Sequence, residues 1–348
     1  MWKRIVAIGG TAVLLAAVVG HAAFASGGGR SKTAAVSAPA GPPATAIVNG
    51  DAKTARSYWT PARLAAAKPI DQVRTGPVPD SFGTAVLDFT RSRITPQTAN
   101  KSAPYKGVGK LFFTEPGVGD FQCSASIISQ RLVVTAGHCM YGSGHYFTNW
   151  QFIPGYDGSQ GTLAKQRPYG TWSWQSAVVP TNYQTTSGTV VNDYDFGIIQ
   201  FADQTFSGKL KTLRAKVGFN FQTVTGHTFD TAVTMLGYPC NLDSCNIMQR
   251  VDSSDHRGSG VASGTNGDTA YEYGSDMGGG SSGGPWVENF GNPASAAPTG
   301  GFATRNAIVG VTSYGYTDPN VRVQGASQFN GDFSSILTMM CNLNPGNC

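Results

Sequence analysis

Charge is scarce in this chain: Lys, Arg, Asp and Glu together make up 13% of its 348 residues. The 25 basic and 20 acidic residues form no Lys/Arg cluster, so the electrostatic footprint of a nucleic-acid-binding protein is missing and no such partner is expected. Beyond the first 25 residues no apolar run reaches the roughly 20 residues that a bilayer-spanning helix needs. No stable membrane association is therefore expected of the rest. Cys-x-x-Cys pairs and clustered Cys/His patterns are also absent, so the sequence offers no metal centre, and no cofactor is expected. There is no internal repeat and no long amphipathic helical pattern, which argues against solenoids and helical bundles. What is abundant is glycine, at 45 residues, within a chain that is 40% hydrophobic. That balance suits a loop-rich, β-dominated globular protein.

The amino terminus reads as a secretory signal over residues 1–25. Lys3 and Arg4 give a positive start, Ile5 to Gly20 is nearly all apolar, and Ala23-Phe24-Ala25 has the small-x-small pattern of a cleavage site. The alternative, an uncleaved anchor, is disfavoured because the apolar run is short for a bilayer. Cleavage after Ala25 would deliver a soluble, secreted, extracellular protein, expected to be a monomer. It would also lower the net charge from +5 to 5 − 2 = +3. Six cysteines fit an oxidising compartment. Proximity pairs Cys240 with Cys245 and Cys341 with Cys348, which leaves Cys123 for Cys139. This is one of the fifteen connectivities six cysteines allow.

Composition changes near residue 100. Residues 26–46 are Gly, Ser, Ala and Pro without apolar periodicity, the pattern of a linker. A short helix is predicted after Thr60, with Pro61 in its first turn and Pro69 as its stop. Residues 70–100 are polar and broken by prolines, and the whole of 26–100 is too poor in apolar residues to hold a core of its own. From Gly107 onward, short β-rich runs recur between turn residues: Val108 to Phe113, Ser124 to Ile128, Arg131 to Thr135, Phe196 to Phe201, Thr231 to Leu236 and Ile308 to Tyr314. About 240 residues of such sequence suit an all-β fold of two packed barrels, with a short C-terminal helix from about Phe333 to Met340.

Three local patterns carry chemistry. Leu132 to Thr135 delivers Ala136-Gly137-His138-Cys139, a histidine at the end of a β-run, where Cys139 could tie that end to Cys123. A general base must be held within hydrogen-bond reach of its nucleophile, and an adjacent disulfide helps to hold it. His145, His227 and His256 have no such setting. Asn192-Asp193-Tyr194-Asp195-Phe196-Gly197-Ile198 puts an acid at the mouth of an apolar strand. Burying a carboxylate is costly unless it is paired, and orienting an imidazole is one reason to do so. Asp195 directly precedes the strand and fits better than Asp193. Finally, Gly279-Gly280-Ser281-Ser282-Gly283-Gly284-Pro285 surrounds a serine with residues that permit a tight turn and amides aimed at one point. Taken alone it would read as a flexible loop; with the other two patterns it reads as a nucleophile turn.

These three patterns, in the order His, Asp, Ser, resemble the chymotrypsin/trypsin-like serine peptidases over about residues 105–345. The resemblance implies two six-stranded antiparallel β-barrels with the active site between them, and a secreted serine endopeptidase acting on protein or peptide substrates. It implies His138 as base and acid, Asp195 as its orienting group, Ser282 as nucleophile, and the amides of Gly280 and Ser282 as an oxyanion hole. The alternative is a catalytically silent binding protein on the same fold. Residues 101–348 would form the peptidase domain and 26–100 a propeptide that limits activity or assists folding. The family's digestive members carry Asp where this chain has Ser281, so activation by an Ile47 or Val48 amino terminus is not expected. That departure is similar to the bacterial branch that includes the glutamyl endopeptidases. Thr312, Ser313, Tyr314 and Gly315 look like the strand that binds substrate backbone. Asp276 stands where related enzymes select basic residues, and it fits a structural role as well. Glutamate-specific relatives have a histidine at the place of Thr312, which argues against glutamate preference.

Overall fold

The computed structural model of the chain describes residues 46–74, 88–94, 99–226, 232–254, 256–261, 270–291 and 304–348. The predicted signal peptide, the linker up to residue 45 and His227 lie outside the described residues. The first sheet consists of β1 (Val108–Glu115), β2 (Gly119–Ile127), β3 (Leu132–Thr135), β4 (Thr148–Pro154), β5 (Trp172–Val178) and β6 (Gly197–Phe201). They pair in the order β5–β4–β1–β2–β3–β6, and β6 pairs back onto β5, closing an antiparallel six-stranded barrel. Apolar and β-branched side chains such as Leu111, Phe113, Ile127, Val133, Phe152 and Ile199 fill it and are fully buried. Closure removes the open edges at which another chain could pair.

The second sheet contains β7 (Val233–Gly237), β8 (Gln249–Ser253), β9 (His256–Val261), β10 (Ala270–Gly274), β11 (Pro285–Glu288), β12 (Ala307–Tyr316) and β13 (Val323–Gln328). Its order is β9–β10–β13–β12–β11–β7–β8, with the upstream strand Phe89–Arg93 added to β8. Among the described residues this sheet stays open, a half-barrel rather than the closed second barrel expected. Met235, Val251, Tyr273, Trp286 and Val309 form its core. The predicted C-terminal helix is present as Gly331–Leu343, longer than expected at both ends. Asn330 caps it by accepting from the amides of Asp332 and Phe333, and Phe333 stacks on Phe329 and meets the edge of Phe196. The helix thereby braces the strand that begins just after Asp195.

Upstream of β1 the chain lies across both sheets. The predicted short helix spans Pro61–Ala66, with the Thr60 hydroxyl accepting from the Arg63 amide. Trp59, Leu64 and Ala67 are buried against Phe112 and Ile153 of the first barrel, so this stretch borrows a core it cannot build itself.

Candidate active site

The register of β3 and β6 brings the histidine and the acid together. Gly197 pairs with Thr135, so the end of β3 and the start of β6 lie at the same rim of the barrel. A short 3₁₀ turn, Gly137–Cys139, follows β3 and carries His138. Asp195 leads into β6 from a turn closed by its amide on the Asn192 carbonyl. The Cys123–Cys139 disulfide fastens the histidine turn to β2. The other two disulfides join Cys240 to Cys245 and Cys341 to Cys348.

The Asp195 carboxylate is completely buried and fully engaged. One oxygen accepts the His138 main-chain amide at 2.7 Å, and the other lies 2.8 Å from His138 Nδ1. Ser313 donates its hydroxyl to that second oxygen at 2.5 Å. Three donors thus satisfy this buried carboxylate. It fixes the imidazole through Nδ1, and among the described residues the buried Nε2 has no hydrogen-bond partner. Thus Ser282 Oγ and His138 Nε2 are not joined by a hydrogen bond here, as happens in enzymes whose catalytic bonds tighten only with substrate.

Ser282 sits on a turn that only glycine can make. Gly280 has φ +94° and Gly283 φ +75°, the left-handed region. A Cβ at Gly283 would lie 2.0 Å from Thr135 Oγ1, and one at Gly280 would lie 2.6 Å from the Tyr238 carbonyl. The turn is pinned to the first barrel, since the Ser124 amide donates to the Ser282 carbonyl and the Ser124 hydroxyl to the Gly280 carbonyl. The amides of Ser281, Gly283 and Gly284 are occupied by the carbonyls of Gly278, Thr312 and Ser281. Among the described residues no acceptor takes the amides of Gly280 and Ser282.

Ser281 belongs to a different network from the one its position would serve with an acid there. Its hydroxyl donates to the Gly278 carbonyl and accepts from Gln324 Nε2, while Gln324 Oε1 accepts from Ser275. Val48–Asn49 pairs with Ala177 and Ser176 on β5, so Ile47 and Val48 are committed to the first barrel. Sequence reasoning missed Gln324 and Ser124; each is one of several polar residues in its strand, with nothing local to mark it as part of a site.

The residues read as substrate-binding divide. Ser275, Asp276, Gly279, Ser282, Thr312 and Tyr314 border one cavity. Within it, Thr312 Oγ1 accepts from the Trp286 indole, and the Gly315 amide is taken by the Gln72 carbonyl. Asp276 forms an ion pair with Arg91 at 3.4 Å. The Ser313 hydroxyl turns away toward Asp195. Tyr314 donates to the fully buried Glu272 at 2.7 Å. Burial, reinforced by that carboxylate, pushes the Tyr314 hydroxyl well above its ordinary range, so it stays a donor. Cys123, His138 and Cys139 bring ligand-type atoms within 4.8 Å of one another. The two sulfurs are bonded to each other, however, and a disulfide offers no thiolate to a metal.

Residues 96–329 match the trypsin family. Over 240 residues the chain is 25% identical to the glutamyl endopeptidase of Bacillus licheniformis, an alignment covering 68% of this chain and 65% of that protein. The chain thus spans just under two thirds of that relative's length. The crystal structure of the thermostable serine protease AL20 from an extremophilic microorganism shares the fold, with a TM-score of 0.53 at 24% identity over 69% of this chain and 98% of that one. The protease Anisep from Arthrobacter nicotinovorans matches with a TM-score of 0.53 at 25% identity, over 68% of this chain and 96% of its own.

Proposed function

The chain belongs to the trypsin family, and on that premise we propose that it is a secreted serine endopeptidase that hydrolyses peptide bonds through Ser282, His138 and Asp195. The observation that carries this reading is the fully buried Asp195 carboxylate gripping His138 through both its ring and its main chain. Ser282 Oγ attacks the scissile carbonyl carbon while His138 Nε2 takes the hydroxyl proton. The carbonyl oxygen, now negative, is held by the amides of Gly280 and Ser282. His138 returns the proton to the leaving nitrogen, the C–N bond breaks, and an acyl ester remains on Ser282. Water then adds to that ester with His138 as base, and the serine leaves with the proton. Asp195 holds the imidazole in place and stabilises its protonated form throughout.

Secretion is supported by the leader-like residues 1–25 and by three disulfides, which persist in oxidising compartments. Residues 26–100 act as a propeptide, and amino-terminal sequencing of secreted protein tests this: a mature start at Ser26 with full activity would count against it. For side-chain preference, Thr312 has its hydroxyl occupied by Trp286 and offers no cation, so glutamate is not the favoured residue. A peptide-library cleavage profile measures this directly.

A serine-directed phosphonate should label the processed protein at Ser282, and Ser282→Ala should abolish both labelling and hydrolysis. Failure of the processed wild type to label would leave a catalytically silent binding protein as the better reading. Full activity in Asp195→Ala, with loss in Asp193→Ala, would move the acid to Asp193.

A further inference from the structure

We propose that residues Lys68–Arg74 are a built-in inhibitor strand, laid through the substrate cleft with its chain direction opposite to that of a cleavable peptide. This rests on the peptidase reading given above and adds how the uncut chain is kept silent.

The strand touches both walls of the cleft. Lys68 and Pro69 pair with Phe121 and Gln122 of β2 on the first barrel. Val73 and Arg74 pair with Gly315 and Tyr316 of β12 on the second sheet. Both pairings are parallel, whereas every pairing that closes the first barrel is antiparallel. Real ladder bonds hold it: Ile70 donates to the Gln122 carbonyl, Gly315 to the Gln72 carbonyl and Thr317 to the Arg74 carbonyl.

Between these two grips, Asp71 lies over the nucleophile turn with one side of the residue exposed to solvent. A Cβ on Gly279 would lie 2.0 Å from Asp71 Oδ2, so the carboxylate rests on the backbone of the nucleophile turn. Asp71 also borders the cavity on the Ser282 side and the one on the His138 side. Although the residue keeps an exposed face, partial desolvation against the turn holds its carboxyl above the usual range, while His138 draws it the other way. A glycine at 279 is what makes room for it.

Direction explains why the strand is held and not cut. During hydrolysis the acyl half of a substrate stays on Ser282 and along β12, while the leaving nitrogen must face His138 on the first barrel. A cleavable chain therefore runs from the second sheet toward the first. Lys68–Arg74 runs from the first barrel to the second sheet. Its leaving half lies along β12 and its acyl half beyond His138, so no bond in it is presented in the reactive sense. Anchors on each side keep it there. Upstream, Trp59 packs on Phe112 and donates to the Asn149 carbonyl, and Arg63 pairs with Asp120. Downstream, Arg74 lies 3.6 Å from the buried Glu272, and Arg91 pairs with Asp276. In a segment this short, such outside anchors supply a large effective concentration of an otherwise weak inhibitor.

The test uses the full secreted chain, with phosphonate labelling of Ser282 as readout. The uncut wild type should label slowly. Trp59→Ala, which loosens the upstream anchor, and Asp71→Ala, which removes the carboxylate lying against Gly279, should each label about tenfold faster or more, since each shifts the occupied cleft toward the open one. Circular dichroism checks that both variants are folded. A synthetic peptide spanning Trp59 to Arg74, added to the Trp59→Ala chain, should slow labelling again and remain uncut, and the same residues in reverse order should not. Equal labelling rates for wild type and both variants would overturn the inhibitor strand while leaving the peptidase reading intact. Cleavage of the added peptide within Lys68–Arg74 would overturn the reversed direction. Absence of Ser282 labelling in every form would overturn both.

Discussion

Ser313 and Gly283 show what single positions contribute. The sequence places Ser313 on the substrate wall, but its hydroxyl donates to Asp195 from the far side of the histidine. Removing one donor from a buried carboxylate costs more than its share of a hydrogen bond, because the charge stays behind. Ser313→Ala should lower kcat about tenfold with KM nearly unchanged, the pattern of a group that positions the acid and does not bind substrate. A raised KM at constant kcat would return Ser313 to the substrate wall. At Gly283 the left-handed backbone and the Thr135 hydroxyl together exclude any Cβ. Gly283→Ala should cost about 2–4 kcal/mol of stability, by chemical denaturation, and should abolish Ser282 labelling. At this scale His138, Asp195 and Ser282 were legible, because each needs a distinctive local setting. Gln324, Ser124 and Asp71 were not, because their partners lie far away in sequence.

Among the elements, β1 carries a cation inside the protein. Lys110 is buried, with its ammonium 4.9 Å from the centre of the Tyr156 ring and 5.2 Å from that of Phe112, and burial lowers its pKa to about 7. The unfolded chain keeps the ordinary lysine value of 10.5. Between about pH 7 and 10.5 the unfolded state therefore binds more protons, and stability rises with pH through that window. Below pH 7 both states are protonated and the full penalty, on the order of a few kcal/mol, is present. Lys110→Met should raise Tm most near pH 6 and lose its advantage toward pH 10.5, as thermal scans across pH would reveal. A gain independent of pH would mean that Lys110 binds its proton equally well in the folded and unfolded chain. The β-runs ending in His138 and beginning after Asp195 were readable from β-branched sequence, as was the Thr60-Pro61 start of a helix. Their pairing was not: the juxtaposition of Gly197 and Thr135 comes from closing the barrel, which no local pattern encodes.

For the whole molecule, stability and catalysis meet at the Cys123–Cys139 bond, which spans 16 residues and joins β2 to the histidine turn. Replacing both cysteines by serine should cost about 2–4 kcal/mol, through the looser unfolded chain and the freed turn. Activity should fall with stability, and a variant that loses stability but keeps full kcat would separate the two roles. The placement of residues 46–74 is likewise a property of the entire assembly. Composition alone shows that this stretch lacks a core, and the tertiary structure shows that it borrows Phe112 and Ile153 and then pairs with a strand of each sheet. The sequence by itself determined the β-rich class, the paucity of charge and the three chemical groups, because propensity, turn chemistry and a histidine–cysteine neighbourhood are local. Only the tertiary structure decided that the second sheet stays open among the described residues, that the Ser313 hydroxyl meets Asp195, and that Asp71 lies against Gly279. Those facts depend on contacts between residues tens to more than a hundred positions apart, and such contacts exist only once the barrel has closed and brought the strands into register.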